Sequence, residues 1–71
     1  MPSQVIHASS YDKWSRTLFI TFTSGELYAY LEVEPDVVEA LRSAGSRGRY
    51  FAYNIRNRYP FQRLEPGAGQ P

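Results

Sequence analysis

Seventy-one residues with a formal net charge of +1, 42% hydrophobic and 15% aromatic, make one small domain too apolar to be disordered. The lack of cysteine removes disulfides and thiolate chemistry, and with a single histidine it argues against a structural zinc site. No apolar run approaches the roughly 18 residues of a membrane span and no basic-then-apolar leader opens the sequence, so a cytoplasmic protein without metal or cofactor is expected.

The first strand is expected over residues 4–12 (QVIHASSYD), with frayed residues 1–3 before it. Asp12-Lys13-Trp14-Ser15 reads as a turn, because Asp and Ser satisfy local backbone groups. Within it Trp14 is either a clip over the sheet edge or a contact point. Residues 16–23 (RTLFITFT) carry the strongest strand signal, dense in β-branched and aromatic side chains. Ser24-Gly25 follows as a tight turn, Gly25 supplying a positive φ, and residues 26–33 (ELYAYLEV) form the third strand of an antiparallel meander.

Two registers are open at that turn. A two-residue loop pairs Phe22 with Leu27, Ile20 with Ala29 and Leu18 with Leu31. It leaves Thr17, Phe19, Thr21, Tyr28 and Tyr30 on one face. A three-residue loop with a bulge at Gly25 puts Tyr28 and Tyr30 beside Leu18, Ile20 and Phe22 instead, since a one-residue slip inverts every side chain. The first is preferred because it separates aliphatic from hydroxyl-bearing groups.

From Pro35 the period changes to that of a helix, with Val37, Ala40, Leu41 and Ala44 on one stripe and Asp36, Glu39, Arg42 and Ser43 opposite. Pro35 suits the first helical position and Gly45 the stop. Ser46 caps a second helix over residues 47–57, whose Phe51, Ile55 and Tyr59 face inward beside Gly48. Pro60 ends it, Phe61 and Leu64 clip the chain back onto the body, and residues 65–71 form a flexible tail. The fold expected is α+β: a three-stranded antiparallel meander followed by two helices packed on the sheet, a domain over residues 4–64.

Charge is divided along the chain. Residues 1–41 set Lys13 and Arg16 against six carboxylates, whereas residues 42–71 set six arginines against Glu65 alone. Such a division suggests one basic surface, and arginine suits phosphate forks and stacking on flat rings. On the second helix Arg49, Tyr53 and Arg56 share an outward stripe, an arrangement that neutralises phosphates while the ring stacks on an unpaired base. The plainer alternative is a solvated face with arginine stems lying over Tyr53. Tyr28 and Tyr30 at strand spacing share one sheet face, either as a second stacking platform or as rings covered by a helix. Catalysis has little support. His7, Asp12 and the serines carry no triad spacing, Glu32 and Glu34 on one strand face serve capping and solvation, and Gly45 and Gly48 lack the lysine and preceding strand of a phosphate loop.

Taken in order, Leu18-x-Ile20-x-Phe22-x-x-Gly25, Tyr28-Ala29-Tyr30, a Val and Pro helix start, Ala44-x-Ser46-x-Gly48-x-Tyr50-Phe51 and Ile55-Arg56 resemble the KTSC domain, named for the lysyl-tRNA synthetase C-terminus. The resemblance runs from Ser9 to Leu64. Two positions depart from the family pattern: Glu34 stands between Val33 and Pro35, and Ala52 follows the Tyr-Phe pair where the family often has Asn. The resemblance implies an RNA-related, cytoplasmic domain without catalytic activity. Together the readings give a non-catalytic binding module for tRNA-like RNA through Arg49, Tyr53, Arg56, Tyr28 and Tyr30. The alternative is a protein-interaction module or homodimer that uses exposed aromatics or an edge strand.

Overall fold

The computed structural model describes residues 6–64 and has six elements in the order β1 (Ile6–Asp12), β2 (Thr17–Phe22), β3 (Leu27–Tyr30), α1 (Pro35–Ser43), α2 (Arg47–Asn54) and β4 (Phe61–Leu64). Residues 4 and 5 of the expected first strand, the expected frayed start and the expected tail lie outside the described residues. The meander followed by two helices is present. A fourth strand joins it: β4 pairs antiparallel with β3, so the sheet runs β1-β2-β3-β4. Four residues with one apolar position at each end are too few for a strand signal, which is why the sequence reads as a clip there.

The preferred register at Gly25 is corrected. Leu18 pairs with Tyr30, Phe19 with Ala29, Ile20 with Tyr28 and Thr21 with Leu27. The Phe22 N–H donates to the Glu26 carbonyl at 2.9 Å, and the Gly25 N–H to the Phe22 carbonyl at 2.8 Å. These bonds enclose Thr23, Ser24 and Gly25 in the three-residue loop, with Gly25 at φ +98°. The bulky tyrosines therefore join Leu18, Ile20 and Phe22 on the helix-covered face. Thr17, Phe19, Thr21, Leu27 and Ala29 occupy the other. On β1, a bulge between Ile6 and Ala8 lets Ile6 pair with Phe22 and still reach the core.

The core lies between sheet and helices, built from Ile6, Leu18, Ile20, Phe22, Tyr30, Val33, Val38, Leu41, Phe51 and Ile55. Pro35 opens α1 as expected, and Val38 and Leu41 are its buried residues, with Val37 half-buried beside them. The stripe is rotated by one position toward Val38. Gly45 is not in the left-handed region that a glycine stop uses, because α1 ends through Ala44 in extended backbone, its N–H bonded to the Leu41 carbonyl at 3.3 Å. Ser46 caps α2, its hydroxyl oxygen accepting from the Arg49 N–H at 3.2 Å.

The expected end of the second helix at residue 57 is also corrected. Both the Ile55 and Arg56 N–H groups donate to the Phe51 carbonyl, at 2.9 and 3.0 Å, and Ile55 leaves helical geometry at φ −122°, ψ −45°. The helix closes there because Ile55 must stay buried while the chain reverses toward β4. Proline 60 acts later, its carbonyl receiving the Leu31 N–H at 2.8 Å. Strand β3 likewise stops at Tyr30, short of residue 33, because Glu32 is left-handed at φ 60°.

Candidate nucleic-acid interface

Six arginines follow residue 41, and they divide by what they face. Arg42 pairs with Glu39 at 3.9 Å one turn earlier on α1, and Arg63 on β4 pairs with Glu26 at 3.3 Å. Arg47, Arg49, Arg56 and Arg58 are exposed and make no ion pair with a described carboxylate. They bracket α2, two in its first turn and two in the turn that follows it. That first turn holds no acidic residue, so the positive end of the helix dipole is left unneutralised beside Arg47 and Arg49.

Between the arginines stands Tyr53, 76% exposed. It lies four residues after Arg49 and so on the same side of α2, away from buried Phe51 and Ile55. Arg56 is carried by the turn beyond the helix and not by the continuous stripe that the sequence suggests. Its charge is felt at the Tyr30 hydroxyl, where it lowers that phenol's pKa.

Tyr30 itself is 3% exposed and packs edge-on to Phe51 at 5.3 Å between ring centres, a core position closed to a base. Burial pushes its hydroxyl up to about 12, the neighbouring Tyr28 adds to the rise, and the Arg56 charge opposes it. Tyr28 is half-buried, stacked at 6.2 Å on Tyr30 and edge-on to Phe22 at 5.6 Å. The ring that faces solvent in this group is Phe61 at the start of β4, 51% exposed and resting on Tyr28 at 5.5 Å and Tyr30 at 5.4 Å. Nothing in the local sequence marks Phe61 for this place. Only the pairing of Tyr30 with Phe61 across the β3–β4 ladder brings it there.

Other flagged residues have structural occupations. Asp12 accepts from the Trp14 N–H and the Ser15 hydroxyl, each at 3.0 Å, which holds the β1–β2 turn. Trp14 is 88% exposed and so is no clip, with the Lys13 ammonium 5.7 Å from its ring centre. Glu32 and Glu34 share no strand face, since β3 has ended before them. Glu34 precedes α1 and accepts a hydrogen bond from the Tyr59 hydroxyl at 3.1 Å, which with burial raises that phenol's pKa. His7 is exposed on β1, and among the described residues no three metal-ligating side chains converge.

The sequence profile of the KTSC domain matches residues 2–59. The chain belongs to the KTSC domain family. A crystal structure of a KTSC domain protein from Yersinia pestis superposes with a TM-score of 0.81 and 30% identity, over 92% of each chain. A protein of Stutzerimonas stutzeri is 41% identical over 51 residues, 72% of either chain. A lysine–tRNA ligase of Nostoc punctiforme is 40% identical over 60 residues, which is 84% of this chain and 11% of that enzyme. This KTSC domain thus spans about a tenth of the synthetases it matches.

Proposed function

We propose that this KTSC domain is a non-catalytic, cytoplasmic RNA-binding module that takes tRNA-like RNA on the arginine-flanked surface of α2. The observation that carries the reading is the set of four exposed arginines at the two ends of α2, Arg47, Arg49, Arg56 and Arg58, without a described carboxylate partner, on an element that also carries the open ring of Tyr53. Guanidinium groups without an ion-pair partner among the described residues can exchange counterions for phosphates, and an exposed tyrosine ring stacks on a base of any identity. Phe61, propped from behind by Tyr28 and Tyr30, offers a second exposed ring. The similarity to a segment of a tRNA-charging enzyme supports RNA as the partner class.

Anisotropy of labelled tRNA tests this between about 50 and 200 mM salt. Binding is expected to weaken steeply with salt. Replacing Arg49 and Arg56 by Ala lowers the slope of log K against log salt by about 0.7 per lost contact to a single strand. Tyr53→Ala costs ~1–3 kcal/mol with that slope unchanged. Wild-type protein that ignores tRNA at about 50 mM salt ends the reading.

A further inference from the structure

Among the described residues, helices cover only one face of the sheet. The other carries Ala8 and Ser10 from β1, Thr17, Phe19 and Thr21 from β2, Leu27 and Ala29 from β3, and Gln62 and Leu64 from β4. Asp12 shares this face by register, at its corner opposite Thr17, where its carboxylate accepts from the Trp14 N–H and the Ser15 hydroxyl; the other strand residues of the face are uncharged. This is unusual on a molecule that is 21% charged. The molecule is also thin, 38 × 35 × 18 Å, the depth of one sheet and one helix layer.

The open face has relief. Small Ala8 and Ser10 on the edge strand leave a cleft of about 240 Å³, walled by Ser9, Phe19, Thr21 and Leu27. Bulky Phe19 and Leu27 thus stand on the same surface as the hollow made by the small residues. A surface that bears both the projection and the recess, with its one charge at a corner, is complementary to itself under a two-fold axis. We propose that two copies of this chain associate through these sheet faces, Phe19 and Leu27 of each copy lying toward the Ala8–Ser10 recess of the other. A second copy leaves the one carboxylate of the face, Asp12, at the exposed rim and doubles the thin dimension to match the other two.

The size of the face sets the strength. Strands of seven, six, four and four residues, spaced ~4.8 Å apart and rising ~3.3 Å per residue, cover roughly 330 Å² per copy. Stable interfaces bury about 800 Å² per partner, so the pair is weak and reversible. The arginine surface lies on the helix side and stays open in the pair.

Sedimentation equilibrium from about 1 µM to 1 mM is the test, with backbone amide spectra over the same range. The mass is expected to rise from 8.2 kDa toward twice that value, with little effect of salt. Amide shifts are expected to concentrate on Ala8, Phe19, Thr21 and Leu27. Ala8→Lys, at an exposed position, fills the recess with charge and keeps the chain monomeric. Phe19→Ser removes the projection and weakens pairing at least tenfold. The Arg49 and Arg56 replacements leave self-association unchanged, which separates this proposal from RNA binding. A wild-type mass of 8.2 kDa throughout overturns it, whether the chain's own ends or another protein covers the face. So does a dimer that Ala8→Lys leaves intact.

Discussion

Gly25 sits at φ +98°, and a Cβ built on it meets nothing within 4 Å. A side chain there therefore meets backbone strain alone, without a clash to complicate the measurement. Gly25→Val is expected to cost about 1–2 kcal/mol, read as a fall in melting temperature of roughly 4–8 °C per kcal/mol. Gly45, outside the left-handed region and equally open, is the matched control. Gly45→Ala should leave the melting temperature unchanged or raise it. Equal effects at the two glycines would contradict the loop geometry. Tyr30 makes a second claim at this scale. Its hydroxyl is held up to about 12 by burial, against 10 for an ordinary tyrosine. Above pH 10 the unfolded chain releases this proton while the folded chain keeps it, so stability is complete below pH 10 and falls as pH rises toward 12. The fall approaches 1.4 kcal/mol per pH unit at most. Chemical denaturation between pH 9 and 11.5 reads it, and Tyr30→Phe should flatten the curve. Tyr59, raised through burial and its bond to Glu34, adds a fall of the same sign that survives in that variant.

Each helix is held to the sheet by few side chains. Leu41 on α1 is 1% exposed, and Ile55 at the end of α2 is fully buried. Either residue replaced by Ala should cost about 2–4 kcal/mol in denaturant unfolding, while Tyr53→Ala, on the outer side of α2, should fall within about 0.5 kcal/mol. Losses of similar size at Ile55 and Tyr53 would mean that α2 is rotated. These contrasts indicate what the sequence can carry. Periodicity is local, so β2, the Pro35 helix start and the Ser46 cap are legible from neighbours along the chain. Register is not local. Ser24-Gly25 is compatible with two loops one residue apart, and the choice turns on whether two tyrosine rings fill the space under α2. Tyr30 does, edge-on to Phe51, with Tyr28 stacked on it and edge-on to Phe22. The site suffers from the same gap. Arg49 and Tyr53 are readable from helical spacing, but Phe61 depends on a four-residue strand pairing with β3 across 30 positions of intervening chain. Arg56 reaches its place through a turn that periodicity treats as more helix.

At the scale of the whole molecule, sheet and helix layers have different surfaces. Apart from Asp12 at its corner, uncharged side chains line the sheet face away from the helices, while arginines without an ion-pair partner among the described residues flank α2 on the other side. So short a chain has a small core, and its stability responds strongly to anything that binds the folded state alone. If tRNA is such a ligand, it must stabilise the fold by mass action. At a hundredfold excess over its dissociation constant the gain is about 2.7 kcal/mol, and in a domain of 60–100 residues each kcal/mol moves the midpoint by roughly 4–8 °C. The melting temperature with tRNA at about 50 mM salt is therefore expected to rise by roughly 10–20 °C, and the rise should shrink steeply at about 200 mM as counterions compete for the phosphates. Replacing Arg49 and Arg56 by Ala should abolish most of that rise without moving the midpoint of the free protein, because both side chains are exposed and make no ion pair with a described residue. Ala8→Lys, on the far face of the sheet, should keep the full rise. A midpoint unmoved by tRNA at low salt, or one that rises equally when both arginines are gone, would detach the arginine surface from RNA and leave it as a solvated side of α2.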